Sequence, residues 1–149
     1  MKLFQIEEPD GSPTDPDAPG AAIGIDLTGA RAEVAVAVGG NAMVLADRDG
    51  FELDLPVPRP GAAAADWQRL FEGARLRAER ALAQPVTHVV VAFAAGVAPA
   101  DVERLGPAAE AAGLALLDTV VPDRGDPGQP CACAAAIRAE DLAPRPAAP

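Results

Sequence analysis

A single aspartate stands where an apolar segment of the chain gives way to a turn. The apolar segment 22–25 ends on Asp26, and the turn Thr28-Gly29-Ala30 follows closely. A carboxylate can hold a hard metal ion, and the backbone amides and hydroxyl of such a turn can bind phosphate. If this chain has a chemical site, a metal or phosphate would sit here.

A structural role explains the same residues, and we favour it over metal binding. An acid at the end of a strand can accept hydrogen bonds from the backbone of the next turn. We expect Asp26 to accept them from the amides of Gly29 and Ala30, and we expect Gly24 and Gly29 to serve close strand packing and a tight turn.

The other reactive side chains do not form a catalytic pattern. Cys131 and Cys133 are too close in sequence for an ordinary disulfide, and His88 is the only histidine, so further ligands for a soft metal are missing. No serine or cysteine is paired with His88 in the pattern of a nucleophile and its base. We expect small buried thiols and a structural histidine at a strand boundary.

Composition argues against a polyanionic partner. The net charge is −10, from 22 acidic and 12 basic residues, and only 3% of residues are aromatic. Nucleic-acid affinity depends largely on Lys and Arg neutralising phosphates, so nucleic acid is an unlikely partner. No apolar run approaches the roughly 20 residues of a membrane helix, and no targeting segment precedes the first strand. We therefore expect a cytoplasmic protein without a membrane partner.

The chain divides into one domain and two tails. Residues 1–20 are acidic and rich in proline, and residues 143–149 are rich in proline and alanine, so both are expected to be disordered. Residues 21–142 form a single domain, because this length supports one hydrophobic core.

Within the domain, periodicity predicts three antiparallel strands followed by alternating helices and strands. The predicted strands are the two arms of a hairpin over 22–38, a third strand over 42–46, an edge strand over 51–55, and strands over 86–93 and 114–117. The predicted helices begin at Asp66 as N-cap, at Pro99 with a kink or break at Pro107, and at Cys131. This order predicts an α/β, ribonuclease-H-like domain, in which a three-stranded antiparallel meander is extended by two parallel strands with flanking helices.

Two segments resemble a known family. Ile23-Gly24-Ile25-Asp26-Leu27 with its hairpin is similar to the first phosphate motif of the DnaK-type heat-shock chaperone ATPases, within the actin and sugar-kinase superfamily. The segment from Gln84 to Leu114 resembles the same family without a gap. The resemblance implies the first lobe of an actin-like ATPase, with Asp26 holding magnesium indirectly through water and Thr28, Gly29 and Ala30 forming the phosphate turn.

The chain departs from that family where catalysis is carried out. The family has glycine and two threonines in the turn, a lysine in an inserted subdomain and a catalytic glutamate, whereas this chain has Thr28-Gly29-Ala30, only residues 56–65 in place of the subdomain, and Pro122 or Gln129 at the glutamate. The resemblance therefore implies a degenerate, non-catalytic lobe with a chaperone-like role. At most, weak ATP or ADP binding with magnesium remains.

Two further hypotheses follow. A lone lobe exposes surface that relatives cover with a second lobe, which predicts a homodimer or a protein partner. The alternative is a small metal-dependent nuclease, similar to Holliday-junction-resolvase-like proteins of the YqgF type, in which Asp26 would act with Asp118 or Asp123.

Overall fold

A mixed β-sheet with helices on both faces forms the domain. The computed structural model describes residues 20–46, 55–122 and 130–144. The strands are Ala21–Asp26 (β1), Glu33–Val38 (β2), Asn41–Leu45 (β3), Val86–Ala92 (β4) and Ala115–Val120 (β5), and the helices are Ala64–Leu82 (α1), Pro99–Ala111 (α2) and Cys131–Leu142 (α3).

The sheet has the order β3-β2-β1-β4-β5. β1, β2 and β3 are antiparallel neighbours, while β4 runs parallel to β1 and β5 runs parallel to β4. Gly39 and Gly40 both have positive φ, which the tight turn between β2 and β3 requires. The predicted α/β class, with three antiparallel strands extended by two parallel ones, is confirmed.

The face of the sheet that carries α1 and α2 holds the large side chains of the core. Ile23 and Ile25 of β1 and Val89 and Val91 of β4 are fully buried against helix residues that include Phe71. Alternate residues of a strand point to opposite faces, so this set defines one side of the sheet.

The opposite face is built from small residues and carries α3. Ala35 and Ala37 of β2 pack against buried alanines of α3. A Cβ atom on Gly24 would lie 2.2 Å from the backbone N of Ala136 and 2.7 Å from the O of Ala132. The α3 backbone therefore rests directly on β1, where only glycine leaves room for it.

The helices differ from their predicted form at two points. α1 begins at Ala64 after an Ala63 N-cap, so Asp66 lies inside the first turn and is not the cap. α2 is one helix despite Pro107. Pro107 removes the intrahelical donor for the carbonyl of Glu103. Both residues are exposed, so water can bond to that carbonyl instead.

Several predictions fall on residues that the structure does not describe. The two tails, apart from Gly20, Ala143 and Pro144, lie outside the described ranges, as does most of the predicted edge strand over 51–55. Leu55 is buried, and Pro56 forms an isolated antiparallel bridge with Arg31. No helix in the described ranges combines the length and apolar character needed to cross a membrane.

Candidate functional site

Asp26 is the last residue of β1 and lies at the carboxyl end of two parallel strands. It pairs with Glu33 of β2 on one side and with Ala92 of β4 on the other. The residue is 9% exposed. Because Gly24 touches α3 and lies two residues earlier, Asp26 is on the α3 face of the sheet.

The N-terminus of α3 lies near Asp26. Glu140, near the other end of α3, accepts hydrogen bonds from Gly39 N at 2.6 Å and Gly40 N at 2.9 Å. These glycines flank the N-terminal end of β1, so α3 runs antiparallel to β1. The positive end of the helix dipole is therefore on the side of Asp26, where it favours a carboxylate.

Thr28, two residues after Asp26, donates two hydrogen bonds to the Asp26 carboxylate. Its Oδ1 accepts a hydrogen bond from Thr28 N at 2.8 Å and another from Thr28 Oγ1 at 2.6 Å. The prediction that Gly29 and Ala30 are the donors was wrong. An aspartate side chain commonly accepts from the amide two residues later in the chain, which here is Thr28. The turn's one hydroxyl thus bonds to Asp26.

The rest of the turn is exposed, and the segment 55–57 forms backbone hydrogen bonds with it. Ala30 O accepts from Val57 N at 3.0 Å, and Ala32 N donates to Leu55 O at 2.7 Å. A Cβ on Gly29 would meet only Arg31 O, at 3.8 Å, and its φ is not positive. The predicted need for glycine at position 29 is therefore not supported by its geometry.

A double-mutant cycle tests the bond between Asp26 and Thr28. We expect Asp26→Ala to lower the free energy of unfolding by about 1–3 kcal/mol, because two hydrogen bonds from Thr28 to a charged acceptor are lost. Thr28→Val removes only the hydroxyl, and the coupling energy between the two changes should be about 1 kcal/mol. Urea unfolding followed by circular dichroism measures all four proteins, and strictly additive effects would contradict the bond.

Glu33 is a neighbour of Asp26 that sequence patterns did not single out. It is exposed and lies on the same face of the hairpin. Burial, and secondarily the charge of Glu33, raise the pKa of the Cys133 thiol. Pairing the two predicted strands of the hairpin about their turn, and then alternating the faces along each strand, could have placed Asp26 and Glu33 side by side.

The remaining candidate ligands are separate from this pair. Burial lowers the pKa of His88, whose Nδ1 lies 2.7 Å from Thr87 Oγ1. Cys131 and Cys133 are free thiols. Within the described ranges, no group of three His, Cys, Asp or Glu side chains could hold a metal ion.

Asp118, one of the two other carboxylates of the nuclease hypothesis, does not join Asp26. Asp118 pairs with Val90, which pairs with Gly24, so Asp118 lies two strands away, about 10 Å across the sheet. Its carboxylate accepts from Thr119 N at 2.8 Å and from Arg138 Nε at 3.1 Å. Asp123 lies outside the described residues.

Exposed apolar side chains concentrate at the sheet edge opposite β5. Among the described residues, five large hydrophobic side chains are exposed, and three of them lie on the β2–β3 hairpin: Val38 (72%), Met43 (62%) and Val44 (38%). No other described strand pairs with the outer edge of β3.

A scan of the chain against protein-family models gives no match, and a search of curated proteins finds no significantly similar sequence.

Proposed function

We propose that this chain is a non-catalytic, ribonuclease-H-like domain that acts by protein contact through the outer edge of β3. The observation that carries the proposal is that three exposed apolar side chains lie on the β2–β3 hairpin, whose outer strand β3 has no charged residue. The occupant that fits this edge best is a second copy of the chain.

The sheet order and the placement of the helices support the fold assignment. The order β3-β2-β1-β4-β5, with α1 and α2 on one face and α3 on the other, is compatible with the ribonuclease-H-like arrangement. The proposal also includes a chaperone-like role, which rests only on the resemblance of residues 23–27 to the first phosphate motif of DnaK-type ATPases.

The arrangement of the turn supports a role without catalysis. The Asp26 carboxylate and the Thr28 hydroxyl, which a phosphate site would use, bond to each other. The proposal therefore includes at most a weak nucleotide or phosphate contact at the exposed amides of Gly29 and Ala30. The nuclease alternative has less support, because Asp118 is paired with Arg138 and is far from Asp26.

The edge of β3 lacks the features that usually prevent strand pairing. Asn41–Leu45 contains no charged residue and no proline, and its register with β2 is free of bulges. Charged side chains, prolines and bulges are the common means by which edge strands avoid joining another chain. Among the described residues, nothing pairs with this edge, and its sequence leaves it suited to main-chain pairing.

Pairing with a second copy suits this strand in particular. When two identical strands pair antiparallel about a two-fold axis, the central residue lies opposite its own copy. Met43 is central in the five-residue strand, so Met43 would face Met43 while Ala42 faces Val44. A charged residue at the centre would instead place like charges together, which destabilises a cross-strand pair.

The test is the oligomeric state of the wild-type chain and of Met43→Lys. We expect a monomer–dimer equilibrium with a dissociation constant of roughly 10–100 µM, because a short edge contact is at the small end of interface sizes. Met43→Lys should weaken the dimer at least about tenfold by opposing two ammonium groups at the axis. Sedimentation equilibrium measures both.

Val121→Lys is the matched control. Val121 is 51% exposed and directly follows β5, at the sheet edge opposite β3, so its replacement should leave the dimer constant unchanged. A wild-type chain that stays monomeric at several hundred micromolar, or equal weakening by both substitutions, would overturn the assignment of this edge to a second copy.

A further inference from the structure

A groove of about 480 Å³ lies between the loop 55–62 and the first turns of α1. Its lining includes Leu55 and Leu70, which are buried, and Val57, which is half-buried. Known sites for small molecules span about 300–1,000 Å³ and are lined mainly by apolar side chains. The groove therefore has the size and the apolar surface to hold a ligand of one or two fused rings.

The loop that forms one wall of the groove is held at both ends. Near its start, Val57 N donates to Ala30 O at 3.0 Å. Near its other end, Gly61 N donates to both carboxylate oxygens of Asp101 at 3.2 Å, and Asp101 is buried on α2. These contacts fix the loop to the hairpin and to α2, so the groove is formed before any ligand enters.

Two arginines line the groove, one from each wall. Arg59 lies on the loop and Arg69 on α1, and both are exposed. No described residue forms a hydrogen bond or an ion pair with the Arg59 side chain. Arg69 Nη1 lies 3.7 Å from Asp66 Oδ1, and because this contact is long and solvent-exposed it contributes little. A ligand can therefore pair with both guanidinium groups at small cost.

The charge of the lining favours a ligand with one negative charge. Two arginines and Asp66 are the charged residues of the described lining, which leaves a single net positive charge on a chain whose net charge is −10. A guanidinium group donates to a carboxylate through paired N–H groups. A carboxylate matches this lining better than a phosphate monoester with two charges, because Asp66 would repel the second charge.

We infer that this groove binds a small monocarboxylate with an apolar ring system. The carboxylate pairs with Arg59 and Arg69, and the rings contact Leu55, Val57 and Leu70. The groove is separate from the Asp26 carboxylate and from the β3 edge, and the inference does not depend on the function proposed above.

2-Naphthoate is the probe, and the full chain with ¹³C-labelled leucine methyl groups reports where it binds. We expect it to shift the methyl cross-peaks of Leu55 and Leu70 with a dissociation constant of about 1 mM, as ligand efficiency allows for a molecule of this size. A neighbouring pocket is lined by Leu27 and Leu105, and neither of these lines the groove, so their cross-peaks should stay in place.

2-Naphthamide, which has the same rings and no charge, is the matched control ligand. We expect it to bind at least about fivefold more weakly than 2-naphthoate, because it forms no ion pair with the arginines. Equal affinities for the acid and the amide would overturn the inference. So would cross-peaks of Leu55 and Leu70 that stay in place at 10 mM 2-naphthoate, about ten times the expected constant, or shifts confined to Leu27 and Leu105.

Arg59→Gln tests the role of the loop arginine. We expect it to weaken 2-naphthoate binding about threefold, which is the effect of losing one exposed ion pair. Arg80→Gln is the matched control, because Arg80 is exposed near the end of α1, does not line the groove and changes the net charge equally. Equal weakening by the two substitutions would show a general effect of charge and would overturn the assignment to this groove.

Discussion

Replacing Gly24 with alanine should lower the free energy of unfolding by about 3 kcal/mol or more, because the new methyl group has no space beneath α3. The Cβ position lies 2.2 Å from Ala136 N, 2.6 Å from Ala135 C and 2.7 Å from Ala132 O. All three are backbone atoms, so rotation of a side chain cannot relieve the clash and α3 must move off the sheet. Urea unfolding followed by circular dichroism measures the loss.

Gly29→Ala is the control for this prediction. Gly29 lies in the exposed turn, and an added Cβ would make only an ordinary contact of 3.8 Å with Arg31 O. We expect a change within about 0.5 kcal/mol. Equal losses from the two substitutions would mean that the helix does not rest on β1 as closely as the distances indicate.

Phe71→Ala should destabilise the domain by about 3–5 kcal/mol, the usual cost of removing a buried phenyl group and leaving a cavity. Among the described residues, Phe71 is the largest fully buried side chain, and it lies on α1 against the core face of the sheet. Few other aromatic side chains are present to refill the space, since 3% of the chain is aromatic. Thermal and urea unfolding both report the loss.

Leu76→Ala on the same helix separates burial from helix propensity. Leu76 is 40% exposed, and both leucine and alanine favour helices, so a change of about 0.5 kcal/mol or less is expected. A loss at position 71 no larger than that at position 76 would show that α1 does not cover the core with this face.

The close contact at Gly24 also shapes the surroundings of Asp26. Because the α3 backbone rests on β1, its N-terminus is brought to the carboxyl end of that strand, next to Asp26 and Glu33. Displacing α3 would withdraw the favourable end of the helix dipole from both carboxylates. The fold and the candidate site therefore depend on the same glycine.

The order of the described helices and strands follows from the local periodicity of the sequence, because each element carries its own pattern of apolar residues. The hairpin pattern over 22–38, the helical spacing from Asp66 and the β-branched run over 86–93 are each recognised without reference to the rest of the chain. Asp26 could be placed at a strand end for the same reason. The same patterns do not fix the ends of an element, since α1 begins at Ala64 although Asp66 was predicted as its N-cap.

Which side chains come into contact depends on how the elements pack in the folded chain. The bond from Thr28 to Asp26 depends on the backbone angles of the turn, and the approach of Glu33 to Cys133 depends on how α3 packs. The bond from Gly61 N to the Asp101 carboxylate joins residues 40 positions apart. Contacts between residues distant in sequence follow from strand register and helix packing, and no local pattern specifies them. The sequence located the acid at the end of β1, and three-dimensional packing determined that its carboxylate is bonded to Thr28.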